Sequence, residues 1–144
     1  MNDLRLSLAV TDEDHHASFA VMRELRPHLA DAAAYVAQAR RQAGQGYRLL
    51  LAWQVGRVVA LAGYRIQENL LYGRFLYVDD LVASAGSRGR GVGAALIDAL
   101  REAARGHACA NLVLDTALAN ALGQRFYYRQ GLLAAGLHFR LGLL

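Results

Sequence analysis

The chain has 144 residues and a formal net charge of +4, and all sixteen of its basic residues are arginine. This length is typical of one domain, and the lack of lysine excludes Schiff-base chemistry and a Walker-type phosphate loop. Because the arginines are scattered rather than clustered, the charge favours a small polyanionic ligand over nucleic acid.

The single cysteine and the lengths of the apolar runs indicate a compartment. Cys109 leaves no disulfide framework or thiolate cluster, and the histidines show no metal-ligand spacing. No apolar run approaches the roughly 20 residues that span a bilayer, and the N-terminus does not resemble a signal peptide. We therefore expect a cytoplasmic protein with one domain over residues 1–144, which binds no metal, membrane or nucleic acid.

Apolar periodicity predicts the elements of the first half of the chain. Residues 4–10 alternate apolar and polar side chains, as a strand with one buried face does. Thr11 or Asp12 can cap the next helix, which Pro27 cannot continue. In order, we expect a strand at 4–10, a helix ending near residue 27, a helix at 31–42, a hairpin of strands at 47–53 and 58–65, a looser segment at 66–74 and a strand at 75–83.

The second half alternates helices and strands after a glycine-rich segment. Small and apolar side chains recur on one helical face from Val92 to Ala103, and Gly106 ends that helix. The remaining elements are a strand at 110–115, a helix at 120–130 and one long strand or a bent pair within 132–144. A parallel pair around the crossover helix predicts a mixed, mostly antiparallel sheet flanked by helices, an α/β fold.

Residues 88–93 read Arg-Gly-Arg-Gly-Val-Gly and lead directly into the crossover helix. Glycines let anionic oxygens approach the backbone, and a helix N-terminus directs unpaired N–H groups and a positive dipole end at them. Arg88 and Arg90 add forked donors suited to phosphate. The segment therefore predicts a phosphate-binding loop.

Two other interpretations of this loop are open. An exposed flexible turn would need neither the glycine spacing nor the following helix. A dinucleotide-binding fold is suggested because Gly89, Gly91 and Ala94 match a Rossmann fingerprint and Asp115 ends the next strand. The sequence around the loop argues against this fold. Residues 84–87 separate the loop from the preceding strand, and the roughly 50 residues that follow cannot build the remaining parallel strands.

Three separated segments resemble the GNAT family of N-acetyltransferases. The pattern at 88–93 resembles the family's acetyl-CoA signature, residues 77–83 resemble its fourth strand, and residues 120–132 are similar to its second motif. The order of predicted elements is also the family's. Gly123, where alanine is usual, and Leu132, where an aromatic is common, depart from the pattern and affect packing more than chemistry.

The resemblance implies acetyl-CoA as the cosubstrate. Backbone N–H groups of the loop would bind its pyrophosphate with help from Arg88 or Arg90, and a bulged fourth strand would pair with its pantetheine arm. Asn120 would bond that arm or simply cap its helix. The implied cofactor contacts are Leu81, Val82, Ala83, Arg88, Gly89, Arg90, Gly91, Val92, Gly93, Ala94, Asn120 and Tyr127.

The resemblance also implies acetyl transfer to a primary amine by direct attack in a ternary complex. Tyr127 resembles the tyrosine that protonates the departing thiolate. Asp79 and Asp80 are the nearest carboxylates to accept the amine proton, and Asp79 is favoured because several family members carry an acid there. The alternative for each aspartate is a structural hydrogen bond or ion pair. His138 either packs in the last strand or serves as an acceptor-site residue or auxiliary base.

The acceptor is left open among a small molecule, a peptide and a protein N-terminus. A catalytically inactive acyl-CoA-binding sensor or interaction module of the same fold is the alternative to an enzyme. The apolar C-terminus suits a homodimer, which is common in the family.

Overall fold

A computed structural model describes residues 3–144 of the chain. One compact unit ends at Val113 and a second runs from Leu114 to Leu144. The elements are β1 (Arg5–Leu8), α1 (Asp12–Leu25), α2 (Ala32–Ala43), β2 (Arg48–Gln54), β3 (Arg57–Asn69), β4 (Gly73–Ala83), a 3₁₀ turn (Ala85–Ser87), α3 (Val92–Gly106), β5 (Asn111–Leu114) and α4 (Ala121–Arg129).

The sheet has the order β1-β2-β3-β4-β5, and β1 to β4 form an antiparallel meander. This confirms the predicted mixed, mostly antiparallel α/β fold. Because a Rossmann sheet is parallel from its first strands, the meander also excludes the dinucleotide interpretation.

The core lies between the sheet and its helices. Alternate β2 residues such as Leu49 and Leu51 pack with Val21 and Met22 of α1 and with α2. The crossover helix α3 contacts β3 and β4 and fully buries Leu96, Ile97 and Leu100. Burying apolar side chains on helices and sheet supplies most of the favourable free energy of such a domain.

Local hydrogen bonds fix where α1 begins and where the β3–β4 hairpin turns. Thr11 forms a capping box with Asp14. The pKa of Asp14 is lowered chiefly by the hydrogen bonds that its carboxylate accepts from the backbone N–H groups of Val10 and Thr11.

The prediction of a looser segment at 66–74 is wrong. Strand β3 continues to Asn69, whose side-chain oxygen accepts from the N–H groups of the two residues that begin the return, Leu71 and Tyr72.

The final strand predicted within 132–144 is also wrong. No regular secondary structure is assigned there in the described chain, and Leu137, Phe139, Leu141 and Leu143 are 67–86% exposed. A period-two apolar pattern forms a strand only where a sheet edge is available to pair with its backbone.

Strand β4 carries a bulge at Asp79. Gly63 of β3 pairs with Asp80 and its neighbour Tyr64 pairs with Val78, so Asp79 is the extra residue. Residues 81–83, which the resemblance implies as cofactor contacts, follow the bulge and stay in register with residues 60–62 of β3. Because the extra residue interrupts the usual alternation, the side chains of Asp79 and Asp80 line the same cavity.

Gly63 is needed beside this bulge because the Tyr47 ring lies against its backbone. A Cβ at residue 63 would be 2.0 Å from Tyr47 Oη and 2.5 Å from its Cζ. Glycine inside a strand often marks such a close approach.

We expect Gly63→Ala to lower the free energy of unfolding by about 1–3 kcal/mol, since either the buried ring or the strand must shift. Urea unfolding followed by circular dichroism measures the difference. Gly86→Ala is the control, because a Cβ at residue 86 meets nothing within 4 Å. Equal midpoints for the two variants would contradict this assignment.

Candidate active site

The two aspartates of the bulge are each held by an arginine. Arg65 binds Asp79 with two parallel hydrogen bonds, Nε to Oδ2 at 3.0 Å and Nη2 to Oδ1 at 2.7 Å. Arg26 donates to Asp80 Oδ1 from Nε at 3.0 Å and from Nη2 at 2.9 Å. The ion pairs that the sequence left as the alternative to catalysis are therefore present at both residues.

Arg26 and Tyr47 complete the contacts of the bulge. Arg26 Nη2 also donates to the Asp79 carbonyl oxygen at 2.8 Å, and Tyr47 Oη donates to Asp80 Oδ2 at 2.7 Å. Arg26 is the C-cap residue of α1, whereas Tyr47 directly precedes β2. Asp80 thus joins three separate segments, and no motif in the sequence points to either of its partners.

Two buried phenols near the bulge are kept protonated. Burial and then the charge of Asp80 raise the pKa of Tyr47 far above its ordinary value. Burial also raises the pKa of Tyr35 to about 12, against a smaller lowering by its hydrogen bond to Ser18. Both side chains therefore act as hydrogen-bond donors throughout the neutral range.

A cavity of about 340 Å³ opens beside the bulge, between α1, α2 and β4. Apolar side chains of α1 and α2, including Met22 and Ala39, form part of its wall. Its polar lining consists of Arg26, His28, Tyr35, Gln38, Gln42, Tyr47, Asp79 and Asp80. Most of the lining is therefore polar, with a smaller apolar wall, and it suits a small polar ligand.

The glycine loop after β4 has the backbone geometry of an anion site. Gly89 and Gly91 have φ angles of 78° and 79°, which side chains other than glycine rarely adopt. Gly91 is the N-cap of α3, no side chain caps that end, and its first turn contains no acid. The N–H groups of Val92, Gly93 and Ala94 precede the first helical hydrogen bond, from Ala95 N to Gly91 O, and suit a phosphate.

The two loop arginines differ in their contacts. Arg88 Nε donates to the Ala83 carbonyl oxygen at 3.1 Å, and its Nη2 lies 3.6 Å from Glu24 Oε1. The same Glu24 oxygen accepts from Ala85 N at 3.0 Å. No residue of the described chain forms a hydrogen bond or ion pair with Arg90, so this arginine has the more available guanidinium for a phosphate.

The unit from Leu114 to Leu144 contains the other predicted site residues. Asn120 caps α4, because its Oδ1 accepts from Gly123 N at 3.0 Å. A Cβ at residue 123 would lie 2.4 Å from Asn120 Nδ2, which gives a reason for glycine where the motif usually has alanine.

Burial raises the pKa of Tyr127, so its phenol also holds a proton at neutral pH. His138 does not pack as a strand residue but is exposed, 3.4 Å from Asp115.

Residues 3–144 contain no group of three or more His, Cys, Asp or Glu side chains arranged to hold a metal ion. Among the helices described, none is both long and apolar enough to cross a membrane.

Residues 6–132 match the model of the acetyltransferase (GNAT) family. The chain therefore belongs to the GNAT family of acetyltransferases, as its motifs predicted.

Relatives with names or solved structures agree with this assignment. A glucosamine 6-phosphate N-acetyltransferase of Trypanosoma brucei brucei is 31% identical over 147 residues, 96% of each protein. The crystal structure of an acetyltransferase from Trypanosoma brucei is 25% identical, with a TM-score of 0.81 over 98% of this chain and 100% of that one. The structure of AAC(6')-Iy with the bisubstrate analogue CoA-S-monomethyl-acetylneamine shares the fold, at 16% identity and a TM-score of 0.79 over 96% and 99% of the chains.

We expect Arg26→Ala to lower the free energy of unfolding by about 1–3 kcal/mol, because Asp80 would keep its burial and lose its charged partner. Arg40→Ala is the control. It removes an ion pair with Asp12 in which both side chains are largely exposed, and such pairs contribute about 0–1 kcal/mol. Chemical unfolding of both variants checks this, and a cost no larger than that of Arg40→Ala would contradict it.

Proposed function

We propose that this protein transfers an acetyl group from acetyl-CoA to a primary amine of a small molecule, by direct attack in a ternary complex. The observation that carries the proposal is the uncapped N-terminus of α3 with its left-handed glycines, in the connection that follows a strand whose bulge residues line a cavity. Membership of the GNAT family supports acetyl-CoA as the cosubstrate.

Binding of the cosubstrate would use mainly backbone groups. The N–H groups of residues 89–94 would bind its pyrophosphate, with Arg90 as the side-chain partner, while Arg88 holds the loop to β4 and α1. Leu81, Val82 and Ala83 would pair with its pantetheine arm along the edge of β4 that faces β5. The position of β5 supports this assignment. Ala110, just before β5, donates its N–H to the carbonyl oxygen of Arg74, which lies at the opposite end of β4 from residues 81–83.

In the proposed reaction, the amine nitrogen forms a bond to the thioester carbonyl carbon, and the carbon–sulfur bond breaks. The sulfur takes the proton of the Tyr127 phenol, and the amine loses a proton to a base. We assign the base to Asp79 rather than Asp80. Asp79 accepts two hydrogen bonds, both from Arg65, whereas Asp80 accepts three, from Arg26 and Tyr47. Asp79 therefore has more lone pairs left to accept from an amine or a linking water.

Amino sugars are the first acceptors to test. The trypanosomal relative is named for glucosamine 6-phosphate, and the analogue bound to AAC(6')-Iy contains acetylneamine. A cavity of about 340 Å³ lies at the small end of the range for ligand sites, which favours such compounds over a folded protein.

A binding module without turnover is the second candidate function, because arginines engage both aspartates of the cavity. Free-thiol release with acetyl-CoA and a panel of amines, together with calorimetric CoA binding, separates the two. Amine-dependent thiol release with an acetylated product supports the enzyme. CoA binding without turnover of any amine supports the module.

We expect Tyr127→Phe to lower kcat by roughly ten- to a thousandfold, the scale of positioned proton transfer, with little change in acetyl-CoA affinity. Tyr128→Phe is the matched control, since that neighbouring ring is exposed. Steady-state kinetics and calorimetry measure the two effects. Unchanged kcat in Tyr127→Phe would remove this phenol from the mechanism.

We also propose that a second copy of the chain covers the apolar C-terminal segment, residues 133–143. Its leucines and Phe139 are exposed and its backbone is assigned to no strand in the described chain, so identical segments can pair about a two-fold axis.

Light scattering coupled to size-exclusion chromatography should therefore show a dimer that Phe139→Ser with Leu141→Ser converts to a monomer. Leu70→Ser, on an exposed side chain of the β3–β4 turn, is the control and should leave the dimer intact. A monomeric wild-type protein at micromolar concentration would disprove the dimer.

A further inference from the structure

The hydrogen bonds around the cavity have directions that the geometry fixes. Ser18 Oγ donates to the His15 carbonyl oxygen at 2.7 Å, because a carbonyl can only accept. Tyr35 Oη, 2.7 Å from Ser18 Oγ, must then donate its own proton to Ser18. The Tyr47 proton is likewise committed to Asp80. The phenol oxygens of Tyr35 and Tyr47, two residues that line the cavity, therefore retain acceptor lone pairs and have no proton left to offer.

The other lining groups are also rich in acceptors. Gln38 Nε2 donates to Gln42 Oε1 at 3.0 Å, which leaves the Gln38 amide oxygen as an acceptor beside the remaining N–H groups of the two amides. Asp79 and Asp80 retain lone pairs beyond those that their arginines use. This surface suits a ligand that brings N–H or O–H donors.

Positive charge at the cavity is already neutralised. Arg26 is the one guanidinium among the lining residues, against two carboxylates, and its Nε and Nη2 are used by Asp80 and the Asp79 carbonyl oxygen. Arg65 is bound to Asp79 and does not line the cavity. A phosphate ester, with a charge of roughly −1.5 to −2 at pH 7, would meet two carboxylates against one guanidinium that is already paired with Asp80, and His28 is the one imidazole in the lining.

We propose that this cavity binds the acceptor through hydroxyl or second ammonium groups, and that the enzyme acetylates an unphosphorylated small amine in preference to its phosphate ester. The inference rests on the proposed function and names the substrate class of that site. Acceptor-rich walls would orient the donors of the ligand while a separate, neutral amine attacks the thioester.

Matched pairs of acceptors test this preference. At saturating acetyl-CoA, kcat/KM for glucosamine and for ethanolamine should exceed that for glucosamine 6-phosphate and phosphoethanolamine by about tenfold or more. A preference for the phosphorylated member of either pair overturns the inference, as does failure to acetylate any of the four. In the latter case, turnover of another amine would leave the proposed function standing, and no turnover of any amine would overturn that function as well.

A variant that adds positive charge to the cavity tests whether the acceptor binds there. Gln38→Arg adds an unpaired guanidinium to the cavity and should raise kcat/KM for glucosamine 6-phosphate relative to glucosamine by about tenfold. Gln45→Arg, an exposed residue outside the cavity, adds the same charge and should leave the ratio unchanged. Equal ratios in both variants overturn the assignment of the acceptor to this cavity.

Tyr35→Phe tests separately whether the Tyr35 phenol oxygen accepts a hydrogen bond from the amine substrate. It removes an acceptor from the cavity, while Ser18 keeps its hydrogen bond to the His15 carbonyl oxygen. KM for the amine should rise several-fold, with KM for acetyl-CoA unchanged. An unchanged amine KM overturns the role of this phenol.

Discussion

The contact of Asp80 with Arg26 and Tyr47 is the interaction on which the rest of the site depends. It joins the end of α1, the start of β2 and the bulge of β4, segments that are 33 and 54 residues apart in the chain. A partly buried carboxylate with one partner removed is costly, so the three segments are stabilised together. The same contact explains Gly63, because only a residue without a side chain lets the Tyr47 ring reach Asp80.

The glycine loop and the cavity differ in how they use their charged groups. The loop presents backbone N–H groups and an uncapped helix end, and one of its arginines contacts Ala83 and Glu24 within the protein. The cavity beside β4 instead uses its guanidinium to neutralise carboxylates. In the proposed function, an anionic cosubstrate and a donor-rich acceptor would therefore not compete for the same cations.

Local patterns predicted the elements whose causes are local. The Thr11 cap, the start of α3 after the glycine loop and the Asn120 cap each follow from residues within a few positions of one another, and the structure contains all three. The C-terminal strand failed because alternation in a sequence cannot say whether a pairing edge exists. Arg26 and Tyr47 were missed for a similar reason, since nothing in a sequence links residues so far apart. Gly63 within an apolar strand was the available clue to a close contact.

The use of arginine at all sixteen basic positions has a chemical consequence for an enzyme of this class. A guanidinium stays protonated and is not a nucleophile toward a thioester, whereas a lysine amine is one whenever it loses its proton. The side chains of this protein thus contain no primary amine that acetyl-CoA, bound or free, could modify. Its surface can carry a permanent positive charge beside a reactive thioester without becoming an alternative acceptor.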